Sequence, residues 1–174
     1  MVISGTEPRV AFDARRVLVA GVGYRNLRDL SLGPLVVERF GASAERIDVE
    51  DLSYGPIDVL FQLQRREPYA AAVFVTAVHR GRAPGSVTRS RWSKPDITPE
   101  ALQERVAEAV TGVISLDNLL HICAHFGALP EDVTLIEIEP ADDSWGEELS
   151  AEGQAALDSA IALARLEVAR VTPL

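Results

Sequence analysis

Gly21-Val22-Gly23 follows a short apolar run, and Asn26, Asp29 and Gly33 come after it in turn. A glycine pair leaving a strand can hold a phosphate, because backbone N–H groups approach the ligand where no Cβ intervenes. The dinucleotide fingerprint needs a third glycine three positions beyond the second, and Asn26 stands there. Glu50 is only a weak fit to the acidic residue that would bind a ribose. The glycine pair therefore reads as a tight turn leaving a strand. Asp29 and Glu50 are the carboxylates that fall near strand ends, where a cleft would form. The alternative for both is capping and loop hydrogen bonding.

Asp117, His121 and His125 recur at i, i+4 and i+8 and share a helix face. Two histidines one turn apart can bind a transition metal. The alternative is a polar stripe opposite Leu116, Leu119, Leu120, Cys123 and Phe126. Residues 79–94 contain no acid and carry Arg80, Arg82, Arg89, Arg91 and Lys94, in a chain of formal net charge −9. That asymmetry suits a docking surface for an acidic partner segment, with Trp92 as aromatic anchor. The alternative is a solvated loop and edge arm. Cys123 is the lone cysteine, so no internal disulfide forms, and its apolar neighbours make it a small buried hydrophobe. Ser-His-Asp and Cys-His catalysis have no local signature.

The elements that must position these residues follow from apolar periodicity. Short apolar or alternating runs predict strands at 16–20, 46–50, 70–78 and 133–139, with an extra strand or hairpin arm at 86–92. Helical spacing predicts helices at 32–40, 57–66, 99–110, 116–126 and 150–171. Gly41 and Gly127 act as stop signals, Gly55-Pro56 opens the second helix, and Ser150 is the N-cap of the last. Strands separated by helices imply an α/β fold: a three-layer α/β/α sandwich with a mostly parallel, twisted sheet of about five strands and helices on both faces. Residues 1–15 read as a loose lead-in and 16–174 as a single domain. A hydrophobic content of 47% with 25% charge is ordinary for a globular chain. The acidic balance disfavours nucleic acid, which needs a basic face. No apolar run long enough for a membrane span or signal core occurs, and a cytoplasmic protein is expected.

The segment from Val17 through Gly21, Gly23, Asp29 and Leu30 to Gly33 resembles the opening motif of the hydrogenase maturation proteases. That family reads strand, Gly-x-Gly-Asn, four residues, Asp, a second acidic residue, two residues, then Gly. Glu50 and Gly55 resemble its second strand and following turn. Val73 to Val78 resembles its third strand, and Ala83-Pro84-Gly85-Ser86-Val87 its Pro-Gly-Thr-Val. Ser115-Leu116-Asp117, Leu135 to Pro140 and Leu149 to Glu152 resemble the later helix, closing strand and last helix start. The resemblance spans about residues 16 to 169.

What the resemblance implies is an endopeptidase that reads nickel in a nickel-iron hydrogenase large-subunit precursor and removes its C-terminal extension. The nickel-ligand positions it implies hold Leu30, Thr76 and, counting back from Asp117, a residue near Thr111. None supplies the carboxylate or imidazole that such a cation prefers. His121 lies ten residues past Thr111 and cannot replace that ligand. The expectation is a maturation-protease-like protein without metal-dependent peptidase chemistry or a cofactor, acting as a binding or assembly factor for a hydrogenase large subunit or related polypeptide. The cleft candidates are Gly21, Gly23, Asn26, Asp29, Glu50 and Gly55. An active endopeptidase with a divergent site and a small-molecule binder on the same frame are the alternatives.

Overall fold

Every residue of β1, Val17–Val22, is buried, as is every residue of β3, Ala71–Ala77. Strands with no polar alternation have no solvent face, so both must lie inside a sheet covered on each side. The computed structural model, which describes residues 16–172, places them there. β2 is Ile47–Asp51, β4 is Val87–Trp92 and β5 is Asp132–Ile138. The order is β2-β1-β3-β5-β4, parallel throughout except for β4, which runs antiparallel to β5 at the edge. The expected lead-in over 1–15 lies outside the described residues.

Helices cover both faces. On one, α1 (Leu32–Phe40) and α5 (Ala151–Val171) bury Leu32, Val36, Leu157 and Ile161 against Val19, Val73 and Ile136. On the other, α2 (Pro56–Gln64), α3 (Pro99–Val110) and α4 (Leu116–His125) bury Val59, Ala109, Leu120 and Ile122 against Leu18, Phe74 and Leu135. Cys123 belongs to this second core, and burial pushes its thiol up to about 12. Thr98, Ser115 and Ser150 cap their helices through side-chain oxygens that accept an N–H from the first turn. Among the described residues, no helix is long and apolar enough to cross a membrane.

The glycines of the opening motif serve packing. A Cβ on Gly33 would lie 2.4 Å from the Val22 carbonyl oxygen and 2.7 Å from that of Val75. One on Gly21 would lie 2.2 Å from the Gly33 oxygen. The start of α1 thus sits directly on β1 and β3, backbone against backbone.

The arginines of the basic run, expected as a docking surface for an acidic partner, each meet a carboxylate of this chain while their side chains stay a third to about half exposed. Arg89 Nη1 lies 2.7 Å from the Glu167 carboxylate of α5, whose side chain is 3% exposed. Arg91 pairs with Asp132 and donates to Thr134 Oγ1 at 2.8 Å. Arg80 and Arg82 reach Glu137 at 2.8 and 2.7 Å. Trp92 is half-buried at the second core, with the His121 ring edge-on at 6.2 Å. These contacts clamp the edge strand to β5 and α5, and the carboxylates they reach stand far away in sequence.

Two outcomes are expected. Gly33→Ala should cost about 3 kcal/mol in urea unfolding, because neither backbone oxygen can move aside; unchanged stability would mean α1 can shift away from the sheet. Arg89→Glu sets a carboxylate beside buried Glu167 and should cost about 2 kcal/mol, discounted for the half-exposed arginine. An unaltered unfolding midpoint would show the arm to be unclamped.

Candidate functional site

β1 leads outward to β2 on one side, whereas β3 and β5 extend on the other. The carboxyl ends of β1 and β3 are therefore a switch point in strand order, where parallel sheets open a crevice. A cleft of about 280 Å³ lies there. Its walls come from Val22, Gly23 and Tyr24 at the end of β1, Leu30, Thr76 to Arg80 at the end of β3, and Ile114 to Asp117 at the start of α4.

Leu30 is carried by a 3₁₀ turn, Arg28–Ser31, which a sharp bend presents to the cleft. Asn26 and Arg28 have positive φ, 65° and 40°, a conformation asparagine tolerates better than most residues. A loop beyond β5 holds this bend: the Gly146 N–H donates to the Asn26 carbonyl, and the Arg28 N–H to that of Gly146, each at 2.9 Å. Thr76 pairs in register with Val22 and is 6% exposed. Its hydroxyl makes only a long 3.5 Å contact, to the Ala77 carbonyl.

The structure brings Leu30 and Thr76 to one cleft, together with Gly23. Thr111 is not there. It is the exposed C-cap of α3, and its hydroxyl donates to the Glu108 carbonyl at 2.6 Å. The loop beyond it turns at Gly112, φ 85°, and delivers Ile114 instead, whose N–H donates to the Tyr24 hydroxyl at 2.7 Å. Ile114 was missed, although the N-cap Ser115 marks it as the last residue before the helix.

The other candidates face elsewhere. Asp29 is fully buried beside Leu30. One carboxylate oxygen accepts from Ser150 N at 2.9 Å, and the other from Ala141 N, Asp142 N and Ser150 Oγ at 2.9, 3.2 and 2.6 Å. Glu50 pairs with Arg66 at 2.8 Å on the β2 side, and these bonds raise the guanidinium's pKa, with Tyr69 contributing first. Gly21 packs beneath α1 and accepts the Leu52 N–H, while Gly55 is the N-cap of α2. His121 Nδ1 donates to the Asp117 carbonyl at 2.6 Å, and exposed His125 lies edge-on to Phe126. Among the described residues, no three His, Cys, Asp or Glu side chains converge as a metal would require.

The cleft floor is apolar and its mouth is charged. Arg80 spans Asp117 at 3.0 Å and Glu137 at 2.8 Å, and both bonds raise its pKa. His79 Nε2 lies 3.1 Å from Asp143. Of the groups lining the cleft, Leu30 offers no lone pair and Thr76 a neutral hydroxyl, while Asp117 is paired with Arg80 and the His79 imidazole with Asp143, so no set of free donors converges on a cation such as nickel. What the crevice can seat is an apolar side chain, with polar groups about its rim.

Burial pushes the Glu137 carboxyl up, but hydrogen bonds and charge from Arg80 and Arg82 outweigh it and hold the group below the ordinary carboxylate range. A depressed folded pKa stabilises the fold above the unfolded value of about 4.3, and the contribution disappears as pH falls through the folded pKa. Glu137→Gln should therefore cost about 2 kcal/mol at neutral pH, the arginines being a third exposed. The gap from wild type in thermal unfolding should close on acidification; a pH-independent gap would assign the loss to packing.

No protein-family model matches the sequence, and no curated protein does. Solved structures do match. A hydrogenase 2 maturation peptidase from a Thaumarchaeota archaeon is 29% identical, with 90% of this chain and 99% of that one covered and a TM-score of 0.61. The hydrogenase maturating endopeptidase HybD from E. coli is 21% identical over 89% and 92%, with a TM-score of 0.66. A NiFe hydrogenase maturation protease HybD from Thermococcus kodakarensis is 20% identical over 87% and 98%, with a TM-score of 0.60. In fold, this chain is similar to solved hydrogenase maturation proteases.

Proposed function

We propose that this chain binds a polypeptide segment at the switch-point cleft without cutting it, and that its partner is a hydrogenase large subunit or a related polypeptide undergoing maturation. The partner class is suggested by the solved relatives, which are maturation peptidases. The absence of cutting is suggested by the cleft. One observation carries the reading: Leu30 and Thr76 line a cleft whose supporting glycine frame remains in place. An apolar group and a neutral hydroxyl attract no divalent cation, but they leave room and apolar area for a side chain. Binding of the segment and loss of hydrolysis are then compatible, because holding a chain needs shape whereas cleaving an amide needs an activated water.

Co-expression with a large-subunit precursor tests this. Wild type should capture the precursor at unchanged length, and Ile114→Asp, which sets a charge in the cleft wall, should reduce capture about tenfold. Release of a C-terminal fragment by wild type, lost on Ile114→Asp, would replace the binding reading with a peptidase. In nickel titration, wild type should match the Ile114→Asp variant; tight binding confined to wild type would overturn the reading.

A further inference from the structure

The arginines of the basic run pair with carboxylates of β5 and α5, and a second loop beside the cleft carries the opposite charge. The loop between β5 and α5 carries Glu139, Asp142, Asp143, Glu147 and Glu148 across residues 139–150, with no lysine or arginine of its own. Arg28 reaches in to Asp142 at 3.4 Å and to the Glu148 carbonyl at 3.1 Å, leaving the Glu147 and Glu148 carboxylates without an ion-pair partner among the described residues. Asp143, Glu147 and Glu148 are exposed. At the outer turn stands Trp145, 78% exposed, the most open of the large apolar side chains among the described residues.

An indole so placed offers a flat face with an apolar body that a partner can cover. Its backbone is also preset. Gly146 is bonded through both its N–H and its carbonyl to the bend at residues 26–28, and the Asp29 N–H donates to the Asp142 carbonyl at 3.1 Å. The Asp29 carboxylate holds the Ala141 and Asp142 N–H groups from within. A fixed loop loses little conformational freedom when a partner covers it.

The loop is also continuous with the cleft. His79, a cleft residue, lies 3.1 Å from Asp143, and Leu30 belongs to the same short turn whose start is bonded to Gly146.

We propose that Trp145 and its acidic loop form an outer lip that binds a basic polypeptide segment, an arginine or lysine packing on the indole while Asp143, Glu147 and Glu148 supply the opposite charge. An aromatic face attracts a cation, and carboxylates beside it strengthen the attraction. The partner segment therefore carries a basic residue near the apolar side chain that enters the cleft. This deepens, and rests on, the reading of the cleft as a polypeptide site. It inverts the partner charge expected from the arginine run.

The chain contains two tryptophans, so Trp92→Phe leaves Trp145 as the sole indole reporter. The probes are short fluorescein-labelled synthetic peptides with one leucine flanked by arginines, the same peptide with glutamates, and both with leucine replaced by alanine. Anisotropy measures binding, and Trp145 emission reports contact at the lip. The arginine–leucine peptide should bind saturably and shift the emission, and should weaken about tenfold at high salt. Trp145→Ala should weaken it about tenfold, and so should Glu147→Gln with Glu148→Gln. Equal binding of the glutamate peptide, or no response of Trp145 to the arginine peptide, overturns the lip. The two readings fail differently. If leucine and alanine versions of the arginine peptide bind equally, the lip stands and the cleft reading fails. If the glutamate–leucine peptide binds and Ile114→Asp abolishes it, the cleft stands and the lip fails.

Discussion

The buried carboxylate of Asp29 is the constraint on which the rest of the molecule depends. It closes four hydrogen bonds: to two backbone N–H groups after β5, and to the N–H and hydroxyl of Ser150 at the start of α5. An anion at that place is also favoured by the helix dipole. The fit leaves no spare room, since a Cβ on Gly153 would lie 2.3 Å from an Asp29 oxygen. One side chain thus ties the turn after β1 to the loop after β5 and to the longest helix. That helix in turn covers the sheet face shared with α1.

The cleft inherits its shape from this tie. Leu30 is positioned by the turn that contains Asp29, and the outer loop by backbone bonds to the same turn. The opposite wall is held separately, by the Arg80 bridge from Asp117 to Glu137 and by the Tyr24 hydroxyl on Ile114. A buried carboxylate paired to two arginines resists leaving its place, because either partner alone would carry an uncompensated charge. Both walls are thus fixed without any group at the floor taking part.

Strands and helices were legible in the sequence because burial imposes periodicity. β1 and β3 are apolar on both faces, and α1, α2, α4 and α5 repeat apolar residues at helical spacing. The switch-point cleft was legible through the motif order that places Leu30 and Thr76. The partners of the arginines were not: Arg80 meets Glu137 from 57 residues away, across a pairing of strands that no local pattern encodes. That Ile114 and not Thr111 lines the cleft was not legible either. The chain turns at Gly112, φ 85°, between the two, and the direction of that turn is set by packing that no local pattern encodes. Asp29 showed its residue type but not its direction, and the direction separates a cleft acid from a buried anchor.

Asp29 and Leu30 are adjacent in sequence yet serve different ends. Successive residues of a 3₁₀ turn point about 120° apart, so one side chain can face inward while the next faces the cleft. The inward residue carries the architecture, and its neighbour lines the opening. Exchange at position 30, or at Thr76 across from it, therefore leaves the anchor and the glycine contacts untouched. A residue that lines the opening can thus change character within a single turn of chain while the contacts that hold the scaffold stay whole.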